Sequence, residues 1–120
     1  MADGGSEVEL DTINDVEIDE NGVFKYVLIK VKGKTCTKHI VRGHAWAEYH
    51  ADIYEQVEEA IGQKKCQCVG GGRINHEMFN QSIHVYGYSV GFGKANHEIT
   101  VEILNKKYPD YEITWSNEGY

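Results

Sequence analysis

A chain of 120 residues with 41% hydrophobic side chains can bury one ordinary core but is too short for two comfortable domains. Its formal net charge of -7 argues against nonspecific nucleic-acid binding, which needs a basic surface, yet leaves room for a local cationic site that takes an anion. No apolar run approaches the roughly 18 residues that cross a bilayer, and the acidic start Met1-Ala2-Asp3-Gly4-Gly5-Ser6-Glu7 lacks the basic head and apolar centre of a secretory signal, so a cytoplasmic protein without a membrane partner is expected.

Residues 1 to 15, rich in Gly, Asp and Glu, read as a loose tail ahead of a domain over residues 16 to 120. Val16-Glu17-Ile18 is a short strand candidate, and Asp19-Glu20-Asn21-Gly22 a turn. The run Val23 to Val31 is β-branched and aromatic with apolar groups on both alternating faces, which predicts a central strand covered on both sides; Lys25 is out of place within it. After the turn Gly33-Lys34-Thr35, the stretch His39 to Gly43 can return as the partner of a hairpin. From Ala51 the period changes: Ile53, Val57, Ala60 and Ile61 recur at helical spacing, and Gly62 stands near the end of a helix of about three turns. Cys68-Val69, a glycine run at Gly70-Gly71-Gly72, and strand candidates Arg73 to His76 and Ile83 to Ser89 follow, with Asn80-Gln81-Ser82 as a turn. Gly91-Phe92-Gly93-Lys94 leads into a second helix from Asn96 to Lys106, which Pro109 forbids from continuing, and Tyr111 to Trp115 alternates like a last strand. The fold class expected is α/β in the α+β sense: one domain, a mixed but predominantly antiparallel sheet of about six strands, covered by two helices.

Several residues carry chemistry. His50 stands where the helical pattern becomes secure, and the unpaired amides and partial positive charge of a helix start suit phosphate oxygens. An imidazole there can accept a proton near neutral pH, although an ordinary half-buried histidine fits the same position. The Gly91-Phe92-Gly93-Lys94 loop lacks the residues of a nucleotide-binding loop, since Tyr88 stands where glycine is required and Ala95 where Ser or Thr is; with the Ser89 hydroxyl its amides can still cup an anion. Arg73 after three glycines is either an exposed residue on a flexible turn or bulge, or a fork for phosphate oxygens. Cys66, Cys68, His76 and His84 are metal-ligand types, but Cys-x-Cys is not the spacing of a structural zinc site. With Cys36 the cysteines number three, an odd set that reads as reduced thiols, and no metal is expected.

Six segments, taken in order, resemble the phosphohistidine phosphatase (Janus) family: Gly22 to Ile29, Ile40-Val41-Arg42-Gly43, Trp46 to Tyr54, Gly70-Gly71-Gly72-Arg73-Ile74, Ile83 to Ser89, and Lys107-Tyr108-Pro109-Asp110-Tyr111. The resemblance covers nearly everything after residue 15. It implies a catalytic histidine at His50, phosphate held by the amides of His50 and Ala51 and by the loop at Ser89 and Gly91, and a positive pocket completed by Lys25, Arg42 and Arg73. The family often carries alanine where this chain has Gly91, a change that keeps the backbone donor. The activity implied is metal-independent and cofactor-free hydrolysis of the P–N bond of phosphohistidine, or of phospholysine, in partner proteins, with His50 as general base or as nucleophile. A noncatalytic phosphoprotein-binding module would use the same amides and cations. No segment specifies a dimer, and a monomer is expected.

Overall fold

The longest run of buried side chains organises the rest of the molecule. The computed structural model describes residues 9 to 62 and 65 to 117. In it, β2 (Gly22–Lys32) lies inside a six-stranded sheet, hydrogen-bonded on one side to β3 (Thr37–His44) and on the other to β4 (Cys66–Glu77). β4 passes to β5 (Ser82–Tyr86), and β1 (Val16–Ile18) and β6 (Glu112–Trp115) close the two edges, giving the order β1-β3-β2-β4-β5-β6. The inner pairs are antiparallel and both edge pairs are parallel. The expected six strands, two helices and β2–β3 hairpin are all present.

Because side chains alternate across a strand, β2 feeds two cores. Val27, Ile29 and Val31 join Ile40, Ile53 and Val57 under helix α1 (His50–Ile61). Phe24, Tyr26 and Leu28 join Ile74, Ile83, Val85 and Leu104 under helix α2 (His97–Lys107) on the opposite face. The Asn96 side chain starts α2 by accepting the Glu98 and Ile99 N–H groups, and Lys106 and Lys107 complement its C-terminal dipole. Beside Leu104, the deepest side chains of α2 are the polar pair His97 and Thr100. They are there because the buried Tyr26 hydroxyl needs partners: it lies 2.6 Å from His97 Nδ1 and 3.0 Å from Thr100 Oγ1.

One expectation is corrected by the fold. Residues 1 to 8 lie outside the described residues, but 9 to 15 do not form a loose tail. Leu10 and Ile13 pack against the α1-side core, and Lys38 reaches both the Ile13 carbonyl and the Asp15 carboxylate, at 2.6 and 2.8 Å. Of the two readings of the glycine run, a flexible turn or a bulge, the structure shows the bulge, in the middle of β4. Its register against β2 shifts between Val27 and Ile29, so β4 bulges around Val69 and Gly70. Gly70 takes φ +138°, and a Cβ there would stand 2.6 Å from the Ala95 backbone.

Candidate active site

The bulge in β4 hands one residue of the sheet to a loop. The Gly71 N–H donates to the Gly93 carbonyl and the Gly71 carbonyl accepts from the Ala95 N–H, each at 3.0 Å, so the segment after β5 is moored to the centre of the sheet. That segment is a tight turn: the amides of Ser89 and Gly93 each donate to the other's carbonyl, and the buried Ser89 hydroxyl accepts the Phe92 N–H at 3.1 Å. The Phe92 ring meets Tyr54 of α1 edge to face, 5.6 Å between centroids, which ties the turn to the helix as well.

Opposite this turn, α1 begins at His50. The Asp52 carboxylate folds back to accept the Tyr49 and Glu48 N–H groups at 2.9 and 3.2 Å. The first-turn amides of His50 and Ala51 have no earlier carbonyl within the helix to bond to, and both residues border a cleft of about 630 Å3. Lys25, Ser89, Val90, Gly91 and Phe92 form the rest of its wall, with Glu48 and Tyr49 at the helix start. Of the expected site residues, Lys25, His50, Ala51, Ser89 and Gly91 therefore come together from three separate stretches of chain.

His50 is held by the sheet rather than by its own helix. Its Nε2 lies 2.9 Å from the Gly72 carbonyl, a contact only an N–H can make, which leaves Nδ1 as the basic nitrogen of a neutral ring. The ring can lie this close because Gly71 lacks a side chain: a Cβ there would stand 2.8 Å from His50 Cδ2 and 3.1 Å from Ser89 Cβ. Burial pulls the His50 pKa below the ordinary imidazole value; the Gly72 carbonyl opposes this, and the positive charges of Lys25 and Arg73 reinforce it. Arg73 is the direct cross-strand neighbour of Lys25, so both side chains leave the same face of the sheet.

Arg42 is not brought to this cleft. It also points to the α1 face, paired with Val27, but emerges on the far side of the helix and lines a second cavity with Glu17, Gln56 and Ala60. Its guanidinium donates to the carbonyls of Val41 and Asn14 at 3.0 and 2.9 Å and lies 3.5 Å from the Glu17 carboxylate. The expected role as a phosphate ligand is corrected to that of a clasp holding β1 and residue 14 against β3.

The metal-ligand types are dispersed into other work. His76 faces α2, with Nδ1 2.9 Å from the Asp19 carbonyl and Nε2 3.1 Å from the Tyr111 hydroxyl, while Nδ1 of His84 bonds Thr114 Oγ1 at 2.7 Å. Burial pushes the Cys68 thiol up to about 11 and raises Cys66 too, which keeps both protonated.

Sequence reasoning missed the anchoring role of Gly72 and the wall residues Glu48, Tyr49, Val90 and Phe92. The signal for Gly71 was present, since a glycine inside a strand marks a close approach; what approaches is the histidine ring.

A model of the Janus/Ocnus family matches residues 10–112. The 14 kDa phosphohistidine phosphatase of Sus scrofa is 50% identical over 121 residues, covering 93% of this chain and 96% of the relative. The Homo sapiens protein of the same name is also 50% identical, over 93% of this chain and 97% of its own. The sex-regulated protein janus-A of Drosophila pseudoobscura pseudoobscura is 45% identical over 96% of this chain and 83% of the relative.

Proposed function

The chain belongs to the Janus/Ocnus family, and from that membership we infer that it is a protein phosphohistidine phosphatase, a hydrolase acting on phosphoproteins. The observation that carries the activity is 50% identity, across nearly the whole of both chains, to proteins of that name. The mechanism we infer uses the residues of the cleft alone.

The phosphoryl dianion sits against the amides of His50 and Ala51 at the positive end of α1 and against the turn at Ser89 and Gly91, with Lys25 and Arg73 balancing its charge. Phosphoryl transfer asks the protein chiefly for positioning and charge stabilisation, which this set provides. A water molecule attacks phosphorus in line with the P–N bond, neutral His50 takes its proton on Nδ1, and the departing nitrogen keeps the bonding electron pair. In the alternative route Nδ1 itself attacks phosphorus and a phosphoenzyme forms; rapid-quench detection of label on His50 at catalytic rates would select it.

The test is release of inorganic phosphate from a phosphohistidine peptide. His50→Ala is expected to retain its circular dichroism and lose turnover by about 10²- to 10⁴-fold. Wild-type protein that binds the peptide without releasing phosphate would be a binding module, and a fully active His50→Ala variant would remove His50 from the step.

A further inference from the structure

Glu48, Tyr49 and Val90 line the same cleft, yet none of their side chains has a part in the step above. Tyr49 is 62% exposed and Val90 82% exposed, so two large apolar side chains face water at the lips of a polar pocket. They come from opposite walls: Tyr49 immediately precedes His50 at the start of α1, and Val90 lies in the turn between Ser89 and Gly91. The cap of α1 makes no demand on the Tyr49 ring. Its backbone N–H donates to the Asp52 carboxylate and its carbonyl accepts the Asp52 N–H, bonds that any residue but proline makes. Exposed apolar side chains grouped at a cleft mark a place where something docks.

What docks is set by the chemistry of the cleft. A phosphoryl group held on the helix and turn amides leaves its carrier atom at the mouth, and on phosphohistidine that carrier is a flat five-membered ring with a second nitrogen. We propose, resting on the phosphatase reading, that Tyr49 and Val90 are the two walls of a slot for the leaving imidazole, and that the Glu48 carboxylate accepts the N–H of its second nitrogen. The slot then selects a nitrogen heterocycle as leaving group. An imidazole protonated on its second nitrogen is the better leaving group, and a carboxylate there favours that form. As the P–N bond breaks, its electron pair stays on the ring nitrogen that carried phosphorus. The ring departs as neutral histidine with its proton on the other nitrogen, and the proton of the attacking water resides on His50.

The experiment compares kcat/KM for a phosphohistidine peptide with that for phosphoramidate, whose leaving group is ammonia and has no ring to stack. In Tyr49→Ala the ratio of the two falls by up to about tenfold, through KM for the peptide, on the scale of one aromatic stacking contact. Tyr49→Phe restores it, since the face and not the hydroxyl does the work. Glu48→Gln lowers the ratio several-fold through kcat. A wild-type ratio in Tyr49→Ala, an equal loss on both substrates, or a Tyr49→Phe variant as impaired as the alanine overturns the slot; a wild-type ratio in Glu48→Gln removes the carboxylate from it. Failure of the phosphatase reading looks different, because wild-type protein would then release no phosphate from the peptide at all.

Discussion

Burial and two neighbouring cations keep His50 in the neutral form from which a ring nitrogen can take a proton. Burial, Lys25 and Arg73 all favour the neutral ring, against the pull of the Gly72 carbonyl, so its folded pKa lies below 6.5 and the ring is a proton acceptor at pH 7. The sign of each contribution makes a prediction. Lys25→Met removes a cation that opposes protonation, so the His50 titration followed by imidazole-proton NMR is expected to shift to higher pH; an unmoved or lowered midpoint rejects the electrostatic contact. In the wild-type enzyme the acid limb of kcat/KM falls below pH 6.5 for the same reason. The position of His50 at a helix start was legible from periodicity, but its bond to a carbonyl 22 residues away was not. Nor did residue type separate Arg42 from Arg73. Both are arginines whose side chains leave the sheet on the α1 face, and only the register of β3 and β4 decides on which side of the helix each emerges.

At the scale of elements, the glycine run shows why propensity alone misread β4. Glycine is a poor strand former, and three in succession suggest a turn or a bulge and hide the strand that runs on through them. The glycines are there because the strand's neighbours come too close for a side chain: α1 delivers His50 onto Gly71, and a Cβ on Gly72 would stand 2.8 Å from His97 Cε1 and collide with the Tyr86 carbonyl. Gly71→Ala must displace either the His50 ring or the backbone of Tyr26, which lies 2.8 Å from the new methyl. It is expected to cost about 1 to 3 kcal/mol of stability, the scale of overpacking, and to lower kcat well beyond what the stability loss explains. Gly91→Ala is the control, because a Cβ there meets nothing within 4 Å and its φ is not positive. That variant should keep full activity and remain within about 0.5 kcal/mol of the parent in urea unfolding. A silent Gly71→Ala would show that ring and strand are not in register.

The sheet with a helix on each face was readable from the two periods of the sequence, 2 in the strands and about 3.6 in the helices. The parallel pairing of both edge strands was not, since pairing partners distant in sequence leave no local mark. One property belongs to the molecule as a whole. His50 and His97 lie in different layers, both are buried, and burial is the leading reason each pKa is lowered. The unfolded chain therefore binds protons that the native state refuses. The stability each neutral ring contributes is complete above pH 6.5 and is lost as pH falls toward its folded pKa, by at most about 1.4 kcal/mol per group per pH unit. Urea unfolding at pH 7.5 and 5.5 should show the lower stability at pH 5.5; equal or greater stability there contradicts two native neutral imidazoles.

The bond from His50 to Gly72 joins a side chain rooted in a helix to a carbonyl in the interior of the sheet. First turns of helices fray more readily than their middles, and a base carried on such a turn would swing with every opening. Pinned at its tip to the interior of the sheet, the imidazole keeps its aim if the turn beneath it opens, and it acts as the rivet through which the helix is located on the strands.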